Sequence, residues 1–249
     1  MSRAGKIIIV LTVVLLGLAP AFADGSNRVT WKPTSSGSCE NCNLFGRQMP
    51  FWNLTEARYD GANFSYASLH GITADNAYFI GIKAQHVDLT GAQANNARFN
   101  NALLQNARLG GLVANGADFS DANLSNSDAH DAVLVGANLS NIFAAGMTAF
   151  NADFSAAIAD GATFDQATLR GAVFDGAQLT GTSFAGADLA GASFKDARLA
   201  EAILTGALNY LDADFAGACR SPQTQLPTDL ILAPCEVQQD ISDRFVEAP

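Results

Sequence analysis

Four cysteines and three histidines are the side chains in this 249-residue chain best suited to chemistry. Cys39-Glu40-Asn41-Cys42 has the spacing of a dithiol redox pair, but no βαβ pattern follows it, as a thioredoxin-like site would need. Asn43 stands where haem attachment needs His. Zinc held by Cys39, Cys42, Cys219 and Cys235 together would require the two ends of the chain to meet. An even count of four also suits two disulfides, for which three pairings exist. His70, His86 and His130 are scattered, and no Ser–His–Asp arrangement accompanies them. Carboxylates do not cluster as a polysaccharide-cleaving enzyme would need. Glu occurs only at Glu56 and Glu201 in the central region. The expectation is a protein that is not an enzyme, with no catalytic, cofactor-binding or metal site.

The elements that must position these residues follow one register. A small or apolar residue, any residue, then Leu or Phe recurs every five positions. Ala57, Ala62, Ala67, Ala77 and Ala92 begin the small series, which runs on to Ala207. The larger residue comes two later, as at Phe64, Leu69, Phe79, Leu89 and Phe99, and 31 such centres run from Leu54 to Leu204 without insertion. A period of five fits neither a continuous helix nor a continuous strand. Within a unit, two inward residues flank one outward residue, which is strand-like. The two residues between units form a turn. Gly61, Gly91, Gly116, Gly136 and Gly161 open units, and Asn76, Asn96, Asp121 or Asp131 replace Gly elsewhere. These types tolerate unusual backbone angles. A strand-like piece and a corner, repeated, make a solenoid in which each unit packs on its neighbours.

The units Ala62-Asn63-Phe64, Ala117-Asp118-Phe119, Ala137-Asn138-Leu139, Ala152-Asp153-Phe154 and Ala187-Asp188-Leu189 resemble the pentapeptide-repeat family over roughly 52–208. That resemblance implies an all-β fold, a right-handed quadrilateral parallel β-helix with four repeats per coil, and so nearly eight coils. Adjacent coils at one strand spacing would make a rod on the order of 37 Å long.

Departures from the motif test the packing. Where a centre is Ala, the preceding inward residue is often enlarged: Ile72 with Ala74, Ile82 with Ala84, Leu112 with Ala114, Ile142 with Ala144 and Met147 with Ala149. Core volume is thereby kept nearly constant. Ala92 with Ala94, Ser127 with Ala129, and Ala157 with Ala159 are not compensated. They predict loose packing or intrusion from a neighbouring coil. Tyr59, Phe79, Phe99 and Phe119 fall four units apart and predict an aromatic ladder inside the core.

Residues 1–23 read as a secretory signal peptide: basic Arg3 and Lys6, an apolar Ile7 to Leu18, and Ala21-Phe22-Ala23 before a cleavage point at Asp24. The apolar stretch is short for a membrane span, so no stable anchor is expected after cleavage. The family being mainly bacterial, the expected location is periplasmic or secreted. In an oxidising compartment the four cysteines are expected as disulfides, most simply paired within each end, since a rod separates the ends. Residues 24–51 are expected as an N-terminal cap, with Trp31, Phe45, Met49 and Phe51 covering the first coil. The repeats occupy 52–208. The register slips by one between Asn209 and Asp212, so residues 209–249 are expected as an irregular C-terminal cap, with a short helix around 236–246.

The formal net charge is −10 with only 15% charged residues. Cleavage of the signal would remove Arg3 and Lys6 and leave about −12. Such a surface argues against nucleic acid or an anionic membrane as partner. Outward Asp88, Arg108 and Asp128, and Arg98 with Asp118, suggest ion-pair ladders, each worth at most about 1 kcal/mol. Outward Val113, Val133 and Val173, with Leu103 and Phe143 on the next face, are a possible surface for an unknown protein partner. Three function classes follow. The first is a non-enzymatic structural or interaction scaffold of the bacterial cell envelope. The second, implied by the resemblance, is an acidic DNA mimic that protects topoisomerases, which export would exclude. The third is a β-helix carbohydrate-active enzyme, which the missing carboxylate cluster disfavours. The sequence leaves oligomeric state and partner identity open.

Overall fold

A computed structural model describes residues 38–235, which lie within one compact unit, Lys32–Pro249. The signal peptide, Trp31 and the helix expected around 236–246 fall outside the described residues. Backbone bridges join each outward residue to the one twenty positions later, always in parallel. Twenty residues are four units of five, so a coil holds four units and the bridges stand in four columns. The first column runs Asn43, Asn63, Lys83, Leu103 and on to Gln225; the second starts at Gln48, the third at Asn53 and the fourth at Arg58.

The five-residue period explains each local conformation. From Ala57 to Leu204 the two inward positions of each unit are buried and the residue between them is not. The inward residues form one core from Cys42 to Leu232. Backbone amides near the bridges donate up or down the stack, as from Phe64 to the Lys83 carbonyl at 2.6 Å and from Asn63 to the Cys42 carbonyl at 2.8 Å. The corner closes by a tight turn, with Ala67 donating to the Phe64 carbonyl at 2.9 Å. That turn demands a left-handed residue. Asn76 (φ 58) and Asp121 (φ 58) supply it beside the glycines, in line with their turn propensity. Gly61 shows why Gly is placed where it is. A Cβ there would meet Asn41 Oδ1 from the coil below at 2.4 Å, and its φ is +68.

The core follows the expected volume exchange. Ile72 with Ala74 and Met147 with Ala149 are fully buried pairs. Two of the three uncompensated pairs show different outcomes, while Ala92 and Ala94 are simply buried. An internal cavity of about 10 Å³ has Ala129, Ala132, Leu134 and Met147 among its lining residues, at the Ser127–Ala129 unit. At Ala157–Ala159 the next coil intrudes: buried Thr182 donates from Oγ1 to the Ala159 carbonyl at 2.8 Å. The Tyr59–Phe79–Phe99–Phe119 ladder is present, with ring centroids 5.8, 4.9 and 4.8 Å apart. A second ladder, Phe154–Phe174–Phe194–Phe215, stacks at 4.8, 5.0 and 4.9 Å.

The ends differ from expectation. The coil begins at Asn43, not after residue 51, because Cys42-Asn43-Leu44 and Arg47-Gln48-Met49 already fill the repeat register. Met49 is core, but Phe45 and Phe51 project outward, 56% and 73% exposed, and cover nothing of the first coil. The bridge columns therefore reach nine or ten levels rather than nearly eight. At the other end the slip by one is a 3-10 turn, Tyr210–Asp212, after left-handed Asn209. Coiling continues past it with spacings of 21 and then 22: Ser193 bridges Asp214 and Ile203 bridges Gln225. Strand β1 (Arg198–Leu199) pairs with β2 (Cys219–Arg220), which pairs with β3 (Ala233–Pro234), all in parallel. The described part of the segment expected as irregular, residues 209–235, thus extends the solenoid.

Candidate functional site

The four cysteines sit at the two mouths of the coil. Cys39 is bonded to Cys42, and Cys219 to Cys235, with Cα separations of 5.6 and 4.6 Å. Cys42 takes the inward position that Ala holds in later units, so the first disulfide is fastened directly to the core. The second links β2 to the residue after β3 and closes the last turn.

The histidines are not brought together. His70 and His130 share a corner three coils apart, and His86 lies on the preceding corner. His130 is the most constrained. Its Nδ1 lies 2.7 Å from Asp128 Oδ1 and its ring stacks on Phe150 at 5.2 Å. It also fills the space above Gly110, where a Cβ would meet the ring at 2.3 Å. Among the described residues no group of three His, Cys, Asp or Glu could hold a metal ion.

The expected ion-pair ladders form in part. Arg108 reaches Asp88 at 3.5 Å. Burial alone would raise the Asp88 pKa, but hydrogen bonds from Thr90 and the charges of Arg108 and His70 outweigh it and hold the carboxyl below its ordinary value. Arg170 lies 3.5 Å from Asp188, whose pKa is lowered first by the Asn209 side chain, which donates at 2.8 Å. Asp128 turns to His130, and Arg98 and Arg58 both pack over the Tyr78 ring, 5.2 and 4.3 Å from its centroid.

The suggested apolar partner surface is not one surface. Val113 and Val133 stand in the third column, where Asp153 separates them from Val173. Leu103 and Phe143 stand in the first column, and Asn123 lies between them. The second column, with Arg108 and Asp128, runs between the two sets. Successive columns are five residues apart in sequence, so Leu103 and Val113 are two columns apart, not on neighbouring faces. Of the five, Phe143 is the exposed one, at 57%.

Sequence reasoning missed a denser feature. Along one corner Tyr66 stacks on His86 at 4.6 Å and meets Phe45 at a tilt at 5.4 Å, and Phe51 meets His70 along the next at 5.3 Å. Tyr66 and Phe51 hold left-handed backbone at φ 60 and 61, where bulky side chains are disfavoured, and both remain largely exposed. Their presence at positions elsewhere mostly held by Gly, Asn or Asp was the readable signal.

Together these features define a β-solenoid built from five-residue units, a rod whose interior is filled and whose outer faces carry the variable residues. The sequence matches the family profile of pentapeptide repeats in eight copies, over 75–111, 102–141, 150–184 and 182–219, and the chain belongs to the pentapeptide-repeat family. Among solved structures it is similar to HetL of the cyanobacterium Nostoc, a pentapeptide-repeat protein involved in regulating heterocyst differentiation. The two share 26% identity over 76% of this chain and 89% of HetL, with a TM-score of 0.42. It is also similar to QnrB1, a plasmid-mediated fluoroquinolone resistance protein, at 19% identity over 75% of this chain and 94% of QnrB1, with a TM-score of 0.33. No curated protein sequence matches the chain.

Proposed function

We infer that the chain is a non-enzymatic scaffold or interaction rod, exported from a bacterial cell and acting in its envelope, with its coil wound as the right-handed quadrilateral form. The observation that carries this reading is the closure of both mouths of a filled solenoid by disulfides, Cys39–Cys42 and Cys219–Cys235. Structural disulfides persist in oxidising compartments. A rod with a packed interior recognises partners through its flat sides, not through a cleft. The test is the intact mass of native protein from separated periplasmic and cytoplasmic fractions, taken without reductant. The expected species is periplasmic, begins at Asp24 and is lighter by four hydrogens than the reduced chain. A cytoplasmic, unprocessed species with four free thiols would sink the reading.

One observation favours the DNA-mimic alternative. No Lys or Arg occurs between Arg108 and Arg170, and residues 113–235 carry fourteen acidic and four basic residues. That stretch could present phosphate-like charge to a cationic partner. The same mass measurement separates the two readings, because a topoisomerase protector must remain in the cytoplasm.

A further inference from the structure

We propose that Asn115–Gly116 is a self-modifying site: the folded coil holds it inert, while a copy of the chain that stays open there converts it to isoaspartate and no longer re-forms this corner. The chemistry is intramolecular and needs only water. The Gly116 backbone nitrogen attacks Asn115 Cγ and gives up its proton. A nitrogen–carbon bond forms, the Cγ–Nδ2 bond breaks, and the amide leaves as ammonia. Water then opens the resulting succinimide ring. Addition at Cγ leaves an aspartate. Addition at the Asn115 main-chain carbonyl leaves an isoaspartate, in which the backbone runs through the side chain. Of all the asparagines in the sequence, Asn115 alone is followed by glycine. With no Cβ, glycine offers the least obstructed and most mobile backbone nitrogen for this attack.

The fold ties both reacting groups. Gly116 N donates to the Val135 carbonyl in the coil above at 2.9 Å. Asn115 Oδ1 accepts from Val135 N at 3.2 Å, and Asn115 Nδ2 donates to Asn95 Oδ1 in the coil below at 3.1 Å. The flanking Ala114 and Ala117 are fully buried. Attack therefore requires the corner to part from both neighbouring coils.

These bonds belong to a ladder with a direction. Asp75 Oδ1 accepts from the backbone and side-chain amides of Asn95 at 2.8 and 3.0 Å. Asn95 Oδ1 accepts in the same way from Asn115, at 3.2 and 3.1 Å. A carboxylate suits the Asp75 rung, which only accepts; the rungs above must also donate. Conversion of Asn115 to aspartate would set a carboxylate oxygen against Asn95 Oδ1, where Nδ2 now donates. Isoaspartate would in addition lengthen the backbone by one atom and break the register with Asn95 and Val135. Because ammonia is lost, the change is a lasting record of time spent open.

The test holds the full mature chain, disulfides intact, in native buffer and in guanidinium chloride, both mildly alkaline. Peptide mass spectrometry then reads the exchange of NH2 for OH at each asparagine. In denaturant Asn115 should convert ahead of every other asparagine. In native buffer its conversion should be at least about a hundredfold slower, since several hydrogen bonds must part first. Asn95→Ala removes the rung below and should speed native conversion of Asn115 at least about fivefold, leaving the rate in denaturant unchanged. Asn151→Ala removes a comparable rung, the 3.3 Å bond to Asp131, on a different corner, and should leave Asn115 as inert as in the wild type. That contrast separates local guarding from a general loss of stability. Chains carrying isoaspartate, returned to native buffer, should melt at least about 5 °C below intact chains treated alike. Equal rates in the two buffers, another asparagine overtaking Asn115 in denaturant, or Asn95→Ala behaving like Asn151→Ala would each overturn the proposal. So would isoaspartate chains that melt with the intact ones.

Discussion

Tyr59 opens the first aromatic ladder with a hydroxyl that has no hydrogen-bond partner. Its ring is fully buried, 5.8 Å from Phe79 and 5.3 Å from Phe64. Phe holds the equivalent inward position in the three coils above. Tyr59→Phe keeps both ring contacts and removes only the stranded oxygen. An unsatisfied buried hydroxyl costs about 1–3 kcal/mol, so the substitution should stabilise the protein by that order. The same burial pushes the phenol up to about 12 from its ordinary value of 10.0. The sign follows from proton binding: between those values the folded chain keeps a proton that the unfolded chain releases. The stability linked to this group is therefore complete below pH 10 and is lost as pH rises through about 12. A shift of that size corresponds to about 3 kcal/mol, as an order of magnitude. Urea unfolding at pH 7 and pH 11 should show the variant ahead at both, with a wider margin at pH 11. Tyrosinate absorbance, wild type minus variant, should place the ionisation of Tyr59 near the unfolding limit. A variant less stable at pH 7, or ionisation of Tyr59 near pH 10 with the fold intact, would refute the reasoning.

Other substitutions probe the corners and the mouths. Ala156 holds φ 55 with no side-chain hydrogen bond to reward it, so Ala156→Asn or Ala156→Gly should raise stability by about 0.5–1 kcal/mol in thermal melts. Gly61→Ala should cost about 1–2 kcal/mol from backbone strain alone, and more from its approach to Asn41, seen as a lower urea midpoint. Reducing Cys219–Cys235, which closes a sequence separation of 16, should cost about 3 kcal/mol at the C-terminal mouth and speed amide exchange at Cys235 before that of Phe99. Asp88, with its lowered pKa, contributes stability above the ordinary carboxylate range that is lost as pH falls through its folded value. The stability gap between wild type and Asp88→Asn should be present at pH 6 and shrink as the pH falls below the ordinary carboxylate range.

The middle of the molecule was legible because its period admits one solution. With inward positions fixed every five residues, Ile72–Ala74 and the Tyr59 ladder follow from volume and spacing alone. The register at the ends was harder to see. Cys42-Asn43-Leu44 keeps the repeat but replaces its Ala by Cys, which reads first as chemistry and only then as core. Past Asn209 the spacing departs from 20, so Phe215 joins the Phe154–Phe174–Phe194 ladder at a spacing of 21, and a strict count of 20 steps over it. Columns depend on arithmetic modulo 20, whereas the eye follows neighbours. Val113 and Leu103, ten residues apart, looked like adjacent faces and are two columns apart. The aromatic corners at Phe51 and Tyr66 were masked by their length, since both resemble core residues in composition and only their place in the unit shows that they point outward.

The fixed count of twenty residues per coil makes the rod a gear with four teeth. Removing one five-residue unit from the middle would leave the core intact in pattern but turn everything beyond it by one column. Arg170 would then stand on the corner now held by Ser65, Gln85 and Asp165, and its Asp188 would move with it. Removing four units would shorten the rod by one step and restore every face. Length and orientation are thus separate properties of this chain. Any partner that grips two levels on one side constrains the number of units between them to multiples of four, while the side chains in those intervening units remain free to vary.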